Sequence, residues 1–532
     1  MKKFRYRISQ IKLTPDERMD DIAEKIRRKC RRKGNVPVHD LKIVRHSIDA
    51  RHKDRVFHVY TVDFSTDVKL DLPEAEEYSY KLPESGNEDM FTRPVIVGFG
   101  PCGMFCALIL AEAGYRPIVI ERGSNVERRV SKVHAFRKYG VLDPECNVQF
   151  GEGGAGTFSD GKLTSGIKGT LKRKVLETLV EAGACADILY EQKPHIGTDV
   201  LRRVVRNIRL RIEQLGGTVL FDSKVERIIC KSGKLHAVKM KTGFTNGRKA
   251  DDEALEIYEK SRMQDGTEYV IKSEAAVFAT GHSARETFAM LKEVGVEMQA
   301  KPFSIGVRIE HPQKLVDEAQ YGRHDLPPAT YNLVHHCKDG RGVYTFCMCP
   351  GGVVISAGSE EGGIVTNGMS YSKRNGKMAN SGLLVDVRTS DFGSGDVLAG
   401  IEFQRKYERL AFENSSGGYM PPKATWKEVR ERSASGMKII NCLPEFAIND
   451  ILEAMPFFGR KLKGFDSDES IIRAVETRSS SPVRILRGKD LESSVRGLFP
   501  GGEGAGHAGG IMSSAVDGIR IAEKIIKKYR RP

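Results

Sequence analysis

PVIVGFGPCGMFCALILAEAGYRPIVIERG, residues 94–123, decides the fold. Its first five residues, Pro94–Gly98, are mostly β-branched and read as a strand buried on both faces. Gly98-Phe99-Gly100-Pro101-Cys102-Gly103 follows as a G-x-G-x-x-G turn, and Cys102–Gly114 continues as a helix of Ala, Leu, Met and Ile. Arg116–Ile120 is a second buried strand closed by Glu121. Each part has a physical role in holding a dinucleotide. Glycine lets the backbone turn tightly and approach a pyrophosphate without a Cβ in the way. A helix N-terminus presents free N–H groups and partial positive charge to the phosphates. An acid at the second strand end, here 18 residues after Gly103, accepts hydrogen bonds from ribose hydroxyls.

Two later segments repeat the glycine texture. Gln149–Lys162, QFGEGGAGTFSDGK, has no apolar strand before it and no prompt helix after it. It therefore reads as a loop that wraps a flavin with backbone N–H groups and the short side chains Thr157, Ser159, Asp160 and Lys162, rather than as a second dinucleotide unit. Gly497–Gly510, GLFPGGEGAGHAGG, runs into a helix at Ile511–Lys528 and offers a second helix N-terminus to an anionic ring edge. Between them, Ala275–Gly281 is a buried strand ending in Ala279-Thr280-Gly281, which places its last backbone at the carboxyl edge of the sheet.

Charge divides the 532-residue chain. Residues 1–60 carry 18 Lys or Arg against 8 Asp or Glu, whereas the remainder accounts for only a third of the net +15. Phe4–Leu13 alternates as a strand, Thr14-Pro15-Asp16-Glu17 reads as a helix start, and Met19–Lys33 as a basic helix ending at Gly34. Leu41–Asp49 and Arg55–Asp63 read as further strands, so a small ferredoxin-like α+β domain is expected, with RNA as a partner its basic face would suit. Leu72–Arg93 reads as a linker. From Met298 to Phe457 short strands and glycines replace long helices, the texture of an inserted antiparallel substrate domain. Ten scattered cysteines, no signal-peptide pattern and no apolar run long enough to span a bilayer predict a reduced, cytoplasmic protein with no membrane partner. Cys347-Met348-Cys349 reads as a buried structural pair, Cys102 and Cys106 as packing residues, and the adjacent His335 and His336 as pointing to opposite strand faces, so no metal site is expected.

Taken together, the strand-GFGPCG-helix-strand-Glu121-Arg122 unit, Ala279-Thr280-Gly281 and Phe499–Gly506 resemble the glutathione-reductase-like FAD flavoprotein superfamily. The strings GEGGAGTFSDGKL, KPFSIGVRIEHPQ, CMCPGG and LFPGGEGAGHAGGI are similar to a family of FAD-dependent, NAD(FAD)-utilising dehydrogenases. That resemblance implies one FAD and an α/β architecture: a Rossmann-like FAD-binding domain in two parts (91–297 and 458–532), an inserted β-rich cap (298–457) and the N-terminal domain (1–90). Cofactor contacts are expected at Gly98, Gly100, Pro101, Cys102, Gly103, Glu121, Arg122, Gly123, Arg129, Gly153, Gly154, Ala155, Gly156, Thr157, Ser159, Asp160, Gly161 and Lys162. They continue at Val225, Ala279, Thr280, Gly281, His282, Gly502, Glu503, Gly506, Gly509, Gly510 and Ile511. Flavin carries the redox chemistry, and the protein positions and tunes it. Candidate catalytic residues are Arg308 and Arg478 as anion contacts, with Glu310 and His507 beside them. The expected activity is hydride transfer with a small substrate, an anionic one suiting the arginines, any NAD(P)H docking only transiently. The alternatives are a flavin-dependent RNA-modifying enzyme and a non-catalytic flavin redox sensor.

Overall fold

A computed structural model describes residues 3–30, 36–242, 259–262, 267–322 and 326–532. Five short parallel strands form its central sheet, in the order Leu498–Pro500, Ala276–Phe278, Val95–Val97, Ile118–Ile120, Thr218–Leu220. The first four are buried at every residue, which is why their sequences run apolar without alternation. Helix Pro101–Glu112 is buried from Cys102 through Ala111, almost all round. Helix Ile511–Lys528 lies against it through Met512, Ala515, Val516 and Ile519, and helices Thr170–Glu181 and Thr198–Gln214 complete that layer. On the opposite face pack helix Arg285–Glu293 and an antiparallel sheet of Ser223–Lys231, Lys234–Thr242, Thr267–Lys272 and Glu259–Arg262. The polar excursion expected at Gly247–Gly266 lies outside the described residues except for that last strand.

The chain leaves the parallel sheet after Ala276–Phe278 and builds a second sheet, antiparallel and six-stranded. Its order is Val334–His336, Gly342–Cys349, Met378–Val387, Phe303–Pro312, Ile471–Glu476, Lys423–Thr425. Two corrections follow. The cap does not stop at Phe457, because Ile471–Glu476 is one of its inner strands. Nor is it poor in long helices: Ala399–Glu413 and Glu445–Lys461 cover one face and share a core with it. A hairpin, Val353–Ser356 with Thr366–Met369, turns toward the glycine loop, where Ile355, Ala357 and Met369 pack with Val133, Val148 and Phe158.

Residues 4–66 form their own layer, a three-stranded sheet in the order Phe4–Leu13, Phe57–Thr66, His39–Asp49 with one helix, Asp21–Cys30. A ferredoxin-like fold needs four strands and two helices, so that expectation is corrected to βαββ among the described residues. The helix begins at Asp21 rather than at Thr14, because Glu17 turns back to accept from Thr14 N at 2.7 Å and closes an isolated turn first. The expected helix end at Gly34 lies outside the described residues. The helix's cations are largely engaged: Lys25 with Glu17, Arg27 and Arg28 with Glu24, Lys29 with the carbonyls of Ser9 and Gln10. The linker is strapped to the body, since Gly86 N donates to the carbonyls of Ile526 and Tyr529, and Glu88 exchanges backbone bonds with Lys528 and Arg530. No helix among the described residues is long and apolar enough to cross a membrane.

Candidate functional site: a glycine-walled cleft beneath the cap sheet

The carboxyl ends of Val95–Val97 and Ile118–Ile120 open into a cleft of about 430 Å³ that extends to the strands of the cap. Gly98 sits at φ +97° with its Cα against the Ala279 carbonyl, and a Cβ there would come within 2.5 Å of that oxygen. A Cβ on Gly103 would overlap the Gly98 carbonyl oxygen, so the third glycine serves helix-to-strand packing and does not line the cleft. Helix Pro101–Glu112 begins here with Gly100 as its N-cap, no side-chain cap and no acid in its first turn. Helix Ile511–Lys528 begins across the cleft with Gly510 as its N-cap and equally no acid in its first turn. Two such helix ends facing one cleft suit a ligand carrying a pyrophosphate and a ring that gains negative charge.

Of the expected cofactor residues, Gly98, Gly100, Pro101, Cys102, Glu121, Arg122, Gly154, Ala155, Gly156, Ser159, Asp160, Gly161, Lys162 and Val225 line the cleft. So do Ala279, Thr280, Gly281, His282, Gly502, Glu503, Gly509, Gly510 and Ile511. Gly103, Gly123, Arg129, Gly153, Thr157 and Gly506 do not, and their positions are corrected to the layer behind the wall. Arg129 is fully buried and donates to four carbonyls, those of Asn147, Val148, Glu152 and Gly154, at 2.7–3.0 Å. It shapes the glycine loop from inside. Thr157 Oγ1 donates to the Glu152 carbonyl, again within the loop.

Glu121 is 5% exposed and its carboxylate accepts three backbone N–H bonds: Oε2 from Phe99 at 2.8 Å, Oε1 from Gly123 and Gly151 at 2.9 Å each. The acid expected to face ribose therefore also clamps the first glycine turn to the second glycine loop. Arg122 lies over the Phe150 ring and is held by Glu145 and Glu286. His282 is partly buried in the wall, with Nε2 enclosed and unpartnered and Nδ1 3.6 Å from Glu503 Oε1. Burial, then the nearby Arg478 and Arg285, push its pKa down to about 3, so it stands neutral. Burial raises Glu503 to about 7, and its Oε2 accepts from Gly510 N at the helix start. An orphaned imidazole nitrogen in a wall of bare backbone fits a cofactor edge carrying hydrogen-bonding groups.

The cap contributes Phe346, Cys347, Thr366, Asn367, Glu476 and Arg478 to the opposite wall. Three of the four candidate catalytic residues are corrected. Arg308 is fully buried, ion-paired to Glu476 at 2.6 Å, and donates to Asn367, Asn380 and the Cys347 carbonyl, so it supports the wall and contacts nothing in the cleft. Glu310 lies further along the strand, outside the cleft, bonded to Arg473. His507 Nε2 is 2.8 Å from the Ile485 carbonyl and fastens the last glycine loop. Arg478 does line the cleft, but Glu408 grips it at 2.8 Å together with Arg285, and Ser283 and Ser359 accept its other N–H groups.

The residue missed from sequence is Cys347. The strand bulges between Phe346 and Cys349, and Cys347 takes φ +43°, which turns it into the cleft wall while Cys349 stays buried. The Cys349 thiol, together with Lys162 at 4.0 Å and Arg308, holds the Cys347 thiol well below its usual range. Lys162 also donates to the Met348 carbonyl. Burial raises neighbouring Glu476 to about 7. The only signal for this in the sequence was the C-x-C spacing itself, which periodicity reads as packing.

A protein of Clostridium beijerinckii, an uncharacterized one, is 43% identical over 556 residues, covering 99% of both chains. The chain belongs to that family. Residues 302–479 match the family model of the FAD-dependent protein, C-terminal domain-like, a range that coincides with the cap sheet, and residues 5–65 match a domain of unknown function (DUF8436). The cofactor of the chain is FAD. Among solved structures, the chain is similar to L-proline dehydrogenase from P. horikoshii, at 10% identity and TM-score 0.34 over 84% of this chain and 96% of that one. It is also similar to a triple mutant of the flavin-dependent brominase Bmp2, at 14% identity and TM-score 0.37 over 82% and 79%.

Proposed function

We propose that the protein is an FAD-dependent oxidoreductase acting on a small substrate held between the flavin and the antiparallel cap sheet. FAD supplies hydride acceptance and donation. The observation that carries the reading is the composition of the cap wall. A scaffold that merely stores flavin needs no titratable groups there, yet Cys347, Glu476 and Glu503 all line this cleft with shifted proton affinities.

The chain's own groups divide the work. The backbone N–H groups at the start of Pro101–Glu112 would hold the pyrophosphate, and Glu121 the adenosine ribose with the carboxylate capacity its three backbone bonds leave. The Gly509–Ile511 helix start would face the ring edge where charge develops. Glu503, raised to about 7, is able to hold or release a proton at Oε1 or Oε2 near neutral pH, and His282 beside it, held neutral, is able to orient a bound group by hydrogen bonding. Lys162 brings a cation to the Cys347 end of the cleft, where it would attract electron-rich substrate groups, while Arg308 behind the wall is balanced by Glu476. Arg478, already balanced by Glu408, is a weaker anion contact than its sequence context implied.

The test is anaerobic. The photoreduced holoprotein is mixed with acceptors of distinct classes (a quinone, a disulfide, an enone), and the oxidised protein with NADH and NADPH, in wild type and in Glu503→Gln. Rapid reoxidation by one class, slowed by Glu503→Gln with FAD content unchanged, supports the reading. Flavin that changes redox state but turns over no donor–acceptor pair supports the redox-sensor alternative instead.

A further inference from the structure

A second cluster of reactive side chains stands on the far edge of the cap, and none of its members lines the flavin cleft. Val334–His336 is the edge strand of the cap sheet, with His335 opposite Val343. His335 and Cys337 are two residues apart, so both project to one face. Helix Glu445–Lys461 crosses that face and presents Asp450 and Glu453, three apart and hence on one side of the helix. His335 and His336 face opposite ways as expected, and the partner of His335 is Glu453, on a helix more than 100 residues away in sequence.

We propose that His335, Cys337 and Glu453 bind a borderline-soft divalent cation of the zinc type, the fourth position being left to a water. Their donor atoms lie within 4.8 Å of one another. His335 Nε2 stands 3.4 Å from Glu453 Oε1. Tetrahedral coordination at metal–ligand bonds of about 2.0–2.3 Å has ligand-to-ligand edges of about 3.3–3.7 Å, which is the spacing those two atoms already have. Imidazole, thiolate and carboxylate together are a donor set suited to zinc rather than to magnesium or calcium.

Hydrogen bonding alone accounts for only part of the cluster. It explains the His335–Glu453 contact and the stacking of the His335 ring on Phe457 at a centroid distance of 3.9 Å. It leaves Asp450 unexplained. That residue is 6% exposed and its Oδ2 has no partner, while the Cys337 thiol donates to the Asp450 backbone carbonyl at 3.6 Å. An unpartnered, buried carboxylate oxygen beside the cluster is costly, and a cation held by His335, Cys337 and Glu453 would offset its charge. Nearby Arg341 is taken up by Asp339 and Asp391, and Lys461 by the Val334 carbonyl. The His335 and Glu453 side chains are 16% and 28% exposed, so an ion reaches the site from solvent. Bound there, it would pin the edge strand to the helix that covers the sheet.

Full-length, FAD-loaded protein, stripped with a chelator, is titrated with zinc and separately with cobalt. One zinc per chain at micromolar affinity or better is expected, and cobalt should show a thiolate charge-transfer band. Cys337→Ser should abolish that band, and both it and Glu453→Gln should weaken zinc binding at least tenfold, with FAD content unchanged. Should Cys337→Ser yield no soluble holoprotein, the partly exposed Glu453→Gln decides alone. Absence of stoichiometric zinc in wild type, or affinity unaltered by Glu453→Gln, overturns the proposal.

Discussion

Replacing Glu121 by Gln separates two roles that one carboxylate performs. Its oxygens accept from Phe99, Gly123 and Gly151, all backbone donors in a buried setting. A glutamine has one acceptor oxygen. Placed at the Oε1 position, that oxygen retains Gly123 and Gly151, and the amide NH2 then faces Phe99 N, donor against donor. A hydrogen bond to a charged group contributes about 1.5–3 kcal/mol, and leaving the Phe99 N–H buried adds about 1–3 kcal/mol, so a loss of roughly 3–5 kcal/mol is expected with partial relaxation. The apoprotein should therefore melt about 6–20 °C lower in calorimetry, at roughly 2–4 °C per kcal/mol. FAD binding, measured by fluorescence on refilling, should also weaken at least tenfold. An apoprotein of unchanged stability with weakened FAD would show that Glu121 serves the ribose only, and the clamp reasoning would be wrong.

Four further outcomes follow from the same geometry. Gly103→Ala drives a Cβ into the Gly98 carbonyl, so the purified variant should be soluble but colourless; full FAD occupancy would refute the close packing. In apoprotein, Cys347 should react with iodoacetamide at about pH 7, below the usual thiol pKa of about 8.5, and Cys349→Ala should slow it; a profile inflecting at the usual value in both proteins counts against the thiol pairing. Glu503 and Glu476, raised to about 7, keep protons that the unfolded chain releases above about pH 4.3, so apoprotein stability should fall between those pH values, and Glu503→Gln should flatten its share of the slope. Because no second strand-glycine-helix unit occurs among the described residues, NADH and NADPH should reduce the flavin only with dissociation constants on the order of 1 mM; saturation at micromolar concentration would point to an unrecognised nucleotide site.

The parts legible in the sequence were those whose chemistry is local. The Val95–Val97 strand, the G-x-G-x-x-G turn and helix Pro101–Glu112 are neighbours in the chain, and each is specified by the residues beside it. Helix Ile511–Lys528 was legible from its apolar stripe behind a glycine stop. What escaped depends on partners distant in sequence. Nothing near Arg308 announces that Glu476, Asn380 and Asn367 will enclose it, so a buried structural pair read as a substrate contact. His507 is satisfied by a carbonyl 22 residues upstream. Cys347 reaches the cleft through a bulge, a local shift that alternation along a strand conceals. The cap boundary was placed too early because Ile471–Glu476 joins a sheet whose other strands precede it by some 85 residues or more, apart from the edge strand Lys423–Thr425.

The most direct test is a crystal structure of the yellow protein as purified. One FAD is expected in the cleft, its pyrophosphate at the N-terminus of Pro101–Glu112, and its ring between the Gly509–Ile511 helix start and the wall of Phe346, Cys347 and Glu476. A flavin bound away from these residues, or a ring whose face is sealed from the cap wall by protein, would contradict that expectation.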